Sequence, residues 1–218
     1  AWLGEQAPAA VLVACFPWRI PARLLALAPL GFLNIHPSLL PAYRGPAPLF
    51  WQLRAGETRT GVTVHWMDAS LDAGDLARQA PVTLPDGATG PELDQLLGGV
   101  GAELAAETLA ALAAGTQPRT PQPPGGSAQG WPTPADFRLD PGWPARRAYN
   151  FLRGVEEWGQ PFLLEGTPST PSHAWRLYRA LDWTADGLLP APVVQEGEVL
   201  YIQFTPGVLV ALGERAAP

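Results

Sequence analysis

Lysine is absent from the 218 residues. All 14 basic residues are Arg, and Asn occurs twice, Ile three times and His three times. A GC-rich genome depletes the A/T-rich codons of Lys, Asn and Ile, so the bias carries no functional message, but it makes each rare Asn or His more informative. A single cysteine, Cys15, excludes an internal disulfide framework and any multi-cysteine zinc site. Pro and Gly interrupt the apolar runs before any reaches the roughly 18–20 residues of a membrane span. No basic start followed by an apolar core marks a secretory leader, so a soluble, cytoplasmic chain is expected. An excess of positive charge is lacking too. The net charge is −6, with seven Arg and ten acidic residues in 1–130 and the same again in 131–218. Neither half offers an electrostatic grip on nucleic acid over its whole surface.

Proline and glycine are abundant, 26 and 23 residues, alongside 47% apolar residues. That apolar content is enough for one large or two small cores. The run Val11-Leu12-Val13-Ala14-Cys15 predicts a strand buried on both faces, as in a parallel sheet. Short helices are expected over 22–27 and 49–55, the latter ended by Gly56. Strands are expected over 31–36, 60–67 and near 76–84. Thr89-Gly90-Pro91-Glu92 reads as a helix start, with Pro in the first turn and an acid after it. The helix runs to about Ala114, and Gly98, Gly99 and Gly101 predict a kink or two shorter helices. Residues 116–134 are a Pro/Gly-rich linker. Beyond it, a helix near 145–155 and short β runs at 162–164, 174–181, 199–204 and 208–212 suggest a small barrel or sandwich.

Chemistry concentrates in Asn34-Ile35-His36-Pro37-Ser38-Leu39-Leu40-Pro41 and the following Arg44-Gly45. Asn34 and His36 lie two apart on a strand, so their side chains leave one face with Cα atoms roughly 6–7 Å apart. Pro37 keeps His36 extended. An amide and an imidazole aimed at one point could polarise a carbonyl and hold the oxyanion formed from it. A second loop, Ser70-Leu71-Asp72-Ala73-Gly74-Asp75, follows another strand, and Gly74 allows a tight turn. Asp72 could reach His36, raise its pKa and orient it, or take a proton from an attacking amine. Plainer roles exist for each residue. Asn34 could brace its loop, while Asp72 and Asp75 could be turn residues. His65, mid-strand, reads as structural, and His173 has no evident partner. Cys15 reads as buried and apolar. Arg146, Arg147, Arg153, Arg176 and Arg179 read as solvated faces, and the nine Trp as core and interface fillers.

NIHPSLLPAYRG followed by MDASLDAGD resembles the 10-formyltetrahydrofolate-dependent formyltransferases. The resemblance covers residues from about 10 to 115 and extends more weakly through the C-terminal part. It implies an α/β fold, a truncated Rossmann-like formyltransferase core followed by a small, mainly β, barrel-like domain. The implied division is a partial catalytic core at 1–115, the linker at 116–134 and a C-terminal domain at 135–218. The family's N-terminal Rossmann half has no counterpart here. Asn34, His36 and Asp72 match the family's catalytic residues, and Asp72 rather than Asp75 matches the Asp of its Leu-Asp-x-Gly turn. Phe16, Trp18, Ile20, Leu71 and Gly74 fall on its folate-holding loops, although Pro17 stands where a Gly-containing turn is usual and has no N–H to donate. The implied chemistry moves a formyl group from 10-formyltetrahydrofolate to an amine, with no metal. Arg44-Gly45-Pro46-Ala47-Pro48 and the C-terminal part favour the branches acting on methionyl-tRNA or amino-sugar nucleotides over the purine branch. The acidic C-terminal half argues against tight binding of an initiator tRNA. A non-catalytic folate-binding module is a further alternative. The 11–15 strand, unpaired at one edge, is expected to need cover or to pair in a dimer.

Overall fold

The computed structural model describes residues 2–16, 18–116, 118–164 and 174–216, which leaves Pro17 and His173 outside the described residues. The chain folds as two compact units. The first comprises Ala1–Trp51, Arg59–Thr83 and Asp94–Trp131, and the second Gln52–Thr58, Leu84–Leu93 and Pro132–Pro218.

The first unit holds a four-stranded sheet of β1 (Val11–Ala14), β2 (Phe32–His36), β3 (Arg59–Trp66) and β4 (Leu76–Thr83), in that order. β1 and β2 are parallel, and the other pairs antiparallel. Two short helices, α1 (Trp2–Gln6) and α2 (Ala22–Leu25), flank β1 in the chain. Among the described residues, β1 is an edge strand with one neighbour. Its residues alternate between half-buried and exposed, so it is not buried on both faces as its composition predicted. α3 spans Pro48–Ala55.

A 24-residue helix, α4 (Gly90–Ala113), begins as its Thr89 and Glu92 predicted. The Thr89 N–H and hydroxyl both donate to the Glu92 carboxylate at 2.8 Å. Length and composition alone would let this helix cross a membrane. From Asp94 onward, however, it lies in the first unit, and Leu97, Leu104 and Leu112 join Leu33, Val62, Val64 and Trp66 in one core cluster. The helix is continuous, without the break expected at its glycines. Packing accounts for Gly101: a Cβ there would lie 2.8 Å from the Ile35 side chain, so the sheet approaches the helix at that point.

The described part of the Pro/Gly-rich stretch groups with the first unit as far as Trp131. Thr120 and Leu76 exchange backbone hydrogen bonds at 2.8 and 2.9 Å. Ser127 and Gln129 pair similarly with Arg44, and Arg119 stacks 3.9 Å above the Trp66 ring. Extended segments keep their N–H and C=O groups unpaired internally, so they can pair with loop edges in this way.

The second unit contains a six-stranded sheet ordered β5 (Arg138–Leu139), β6 (Phe162–Leu164), β7 (Trp175–Thr184), β10 (Val208–Arg215), β9 (Val199–Gln203) and β8 (Val193–Glu196). It is open, with β5 and β8 at its edges, so the mainly β arrangement expected from the run of short strands is present without closure into a barrel. The core is completed instead by α5 (Ala145–Val155), which buries Ala148, Phe151, Leu152 and Val155. Phe151 meets Phe162 edge-on at 5.5 Å.

Candidate active site

Alternation along β3 puts Val62, Val64 and Trp66 in the core cluster, which leaves Thr63 and His65 on the other face of the strand. In register, Thr63 lies opposite His36 and His65 opposite Asn34. Four polar side chains therefore share one face of the sheet. Thr63 Oγ1 donates to the Ser38 carbonyl at 2.6 Å and accepts from the Leu40 N–H and from Gln79 Nε2. Those bonds fix the loop that follows β2.

Asn34, His36 and Asp72 come together as expected, with His65 as a fourth member. Asn34 Nδ2 donates to His65 Nε2 at 3.2 Å. Asp72 lies between the two imidazoles, its Oδ1 3.5 Å from His65 Nε2 and its Oδ2 3.7 Å from His36 Nδ1. The Gly45 N–H donates to Asp72 Oδ2 at 2.9 Å. His36, His65 and Asp72 are all buried. The outer ring nitrogens hold backbone carbonyls: His36 Nε2 donates to Tyr43 at 2.8 Å and His65 Nδ1 to Trp66 at 3.0 Å. With both rings neutral, the nitrogens facing Asp72 therefore carry lone pairs. One added proton on either ring turns such a contact into a charge-assisted one.

Burial pushes the His36 pKa down and outweighs the opposing pull of Asp72, so the net shift is downward from 6.5 rather than upward as expected. Burial pushes the Asp72 carboxyl up. A protonated His65 donating to it, the charge of a protonated His36 and the Gly45 N–H together outweigh burial, and the group lies below its ordinary range.

Asp72 has a φ of +52°, a conformation that costs most residues with a Cβ about 1–2 kcal/mol, although Asp and Asn visit it more readily than others. The turn is tight. A Cβ on Gly74 would lie 1.9 Å from the Trp66 carbonyl oxygen, so only glycine fits.

Two openings adjoin the cluster. A narrow crevice of about 30 Å³ is lined by Phe16, Trp18, Ile20, Asn34, His65, Leu71 and Asp72, among others. A cleft of about 700 Å³ runs past Phe16, Asn34, His36, Leu71 and Asp72 to Asp94, Gly98 and Trp131. The structure thus places Phe16, Trp18, Ile20 and Leu71 on these linings. Gly74 lies on neither and serves the turn. Phe16, Trp18 and Leu71 are half or more exposed, and the rings of Phe16 and Trp18 meet edge-on at 5.6 Å. Cys15 is exposed at the mouth of the larger cleft, not buried. Among the described residues, no three His, Cys, Asp or Glu side chains are placed to hold a metal ion.

His65 is the member that the sequence reading missed. The signal was available: apolar residues at 62, 64 and 66 leave 63 and 65 on the face that Asn34 and His36 share once the strands pair.

Residues 2–107 match the family described as formyl transferase. A methionyl-tRNA formyltransferase of Symbiobacterium thermophilum is 34% identical over 217 residues, which is 99% of this chain and 64% of that protein. One from Carboxydothermus hydrogenoformans is 45% identical over 115 residues, 53% of this chain and 37% of its own length. The chain thus spans less than two thirds of these relatives. Among solved structures, the formyltransferase PseJ from Anoxybacillus kamchatkensis, in complex with UDP-4,6-dideoxy-4-formamido-L-AltNAc and tetrahydrofolate, aligns with a TM-score of 0.51. It is 25% identical and covers 56% of this chain and 64% of that one. Methionyl-tRNA formyltransferase from Clostridium thermocellum aligns with a TM-score of 0.63 at 15% identity, over 97% of this chain and 79% of its own, and shares the fold.

Proposed function

We propose that the chain, whose residues 2–107 match the formyl transferase family, moves a formyl group from 10-formyltetrahydrofolate to an amine. The observation that carries this reading is the convergence of Asn34, His36 and Asp72 beside a cleft of about 700 Å³. Folate would lie along Phe16, Trp18, Ile20 and Leu71, whose exposed apolar surface suits a flat ring.

In this reading the acceptor nitrogen attacks the formyl carbon and forms a new C–N bond. The carbonyl oxygen gains charge, then the bond from the formyl carbon to N10 breaks. The acceptor loses one proton and N10 gains one. Burial keeps His36 neutral near pH 7, so its Nδ1 can accept that proton. The imidazolium so formed is held by Asp72 and can return the proton to N10. Asn34 spends one amide N–H on His65 and has a second with which to meet the oxyanion.

The proposed acceptor is methionyl-tRNA, as in the named relatives. A second reading, an amino-sugar nucleotide, is favoured by the acidic balance of 131–218. A steep loss of acceptor affinity with salt supports the tRNA; a weak salt dependence supports the small amine. The assignment of 1–115 to catalysis, 116–134 to a connection and 135–218 to a C-terminal domain belongs to the same proposal. So does a dimer paired through β1, which gel filtration tests.

The deciding experiment is a thermal-shift titration with a stable 10-formylfolate analogue, followed by a transfer assay. Ligand at a hundred times its Kd stabilises the fold by about 2.7 kcal/mol. No shift at millimolar ligand overturns the reading. A shift without transfer leaves a folate-binding module.

A further inference from the structure

Two loops meet at the candidate active site, and one side chain from outside both ties them together. Gln122 Nε2 donates to the backbone carbonyls of Asp72 and Gly74, each at 2.8 Å. Its Oε1 accepts from the Arg44 guanidinium, at 2.6 Å from Nη2 and 3.2 Å from Nε. Every polar group of the amide is thereby engaged. The assignment is forced, because exchanging O and N would set a carbonyl against two carbonyls and an amine against a guanidinium.

The contacts form a closed ring. Arg44 adjoins Gly45, and the Gly45 N–H holds the Asp72 carboxylate at 2.9 Å. From the carboxylate the ring passes through the Asp72 backbone to Gln122 and back to Arg44. Gln122 itself sits in a segment pinned on both sides, by the Thr120–Leu76 pair and by the pairing of Ser127 and Gln129 with Arg44. The Asp72 turn has a left-handed φ and must be held by its surroundings. The carbonyls at its two ends, those of Asp72 and Gly74, are the ones Gln122 takes.

We propose that Gln122 is a positioning residue for Asp72: by clamping the 72–74 turn to the Arg44–Gly45 loop, it aims the carboxylate between His36 and His65. The consequence for turnover rests on the formyl-transfer reading above; the clamp itself does not.

The test uses the full chain with Gln122→Ala and Gln122→Glu. Glutamate keeps the shape and the Arg44 contact but loses both N–H donors. Formyl transfer is measured with 10-formyltetrahydrofolate and methionyl-tRNA, and exchange of the Gly45 amide is followed by NMR. Both variants are expected to lose about ten- to a hundred-fold in kcat, with a donor KM within about threefold of the parent. The Gly45 amide is expected to exchange about tenfold faster in both variants, with the global melting temperature little changed. A Gln122→Glu variant with parental kcat or parental Gly45 exchange overturns the proposal, since bulk alone would then suffice. A parent chain that transfers no formyl group defeats the functional reading instead. Gly45 exchange then decides the clamp, supported if faster in both variants and overturned if unchanged.

Discussion

Asn34 and His65 face each other across the antiparallel pair β2–β3, and the Asn34 amide donates to His65 Nε2 at 3.2 Å. The same nitrogen lies 3.5 Å from Asp72 Oδ1. His65 thus lies between the amide and the carboxylate, both proposed above to take part in catalysis. His65→Phe keeps the volume and removes both nitrogens. It should lower formyl transfer by about ten- to a hundred-fold through misplaced Asn34 and Asp72. It should also destabilise the fold by about 1–3 kcal/mol, because the part-buried Asn34 amide and the Trp66 carbonyl each lose a partner. Urea melts and kcat read the two effects separately.

His36→Ala should lower kcat/KM by at least about 100-fold, the usual worth of a positioned acid or base. Its circular dichroism spectrum should match the parent's. A variant that retains the parent's rate would refute the role given to the imidazole.

Acid should weaken the fold in two stages. The folded pKa of His36 lies below 6.5, so below that pH the unfolded chain takes up a proton the folded chain refuses, and stability falls as pH drops. Asp72 is also lowered, from 3.8. Its contribution is present above that value and is lost as pH falls through its folded pKa. Denaturation at about pH 7.5 and pH 5.5 should show a slope between them that His36→Gln reduces.

Two glycines of α4 should respond oppositely to alanine. A Cβ at Gly99 meets nothing within 4 Å, whereas one at Gly101 lies 2.8 Å from Ile35. Gly99→Ala should stabilise by about 0.5–1 kcal/mol from helix propensity. Gly101→Ala should destabilise by about 1–3 kcal/mol from overpacking. Thermal melts of the two variants decide it.

Elements with a strong local pattern were legible in the sequence: β2, β3, β4, α4 and α5 lie close to where periodicity and caps put them. What failed was set by neighbours. β1 looks like a central strand in composition, but its burial depends on how many strands flank it. The glycines of α4 break nothing, because the sheet packs into one of them. The 116–134 stretch reads as linker by content, and only the fold shows which loop edges its described residues pair with. Asn34, His36 and Asp72 were singled out through a long motif, and the fold brings them to one place. His65 was passed over because its partner emerges only from strand register, and the direction of the His36 shift because burial depth is not written in any single residue.

The left-handed conformation of Asp72 limits what natural variation can place there. Glycine and asparagine are the substitutes its backbone accepts most readily, and neither carries charge. A single codon change to asparagine would preserve the turn and the cleft while silencing the carboxylate. On the proposed reading, descent from an enzyme to an inert binding protein is therefore only one step long at this position.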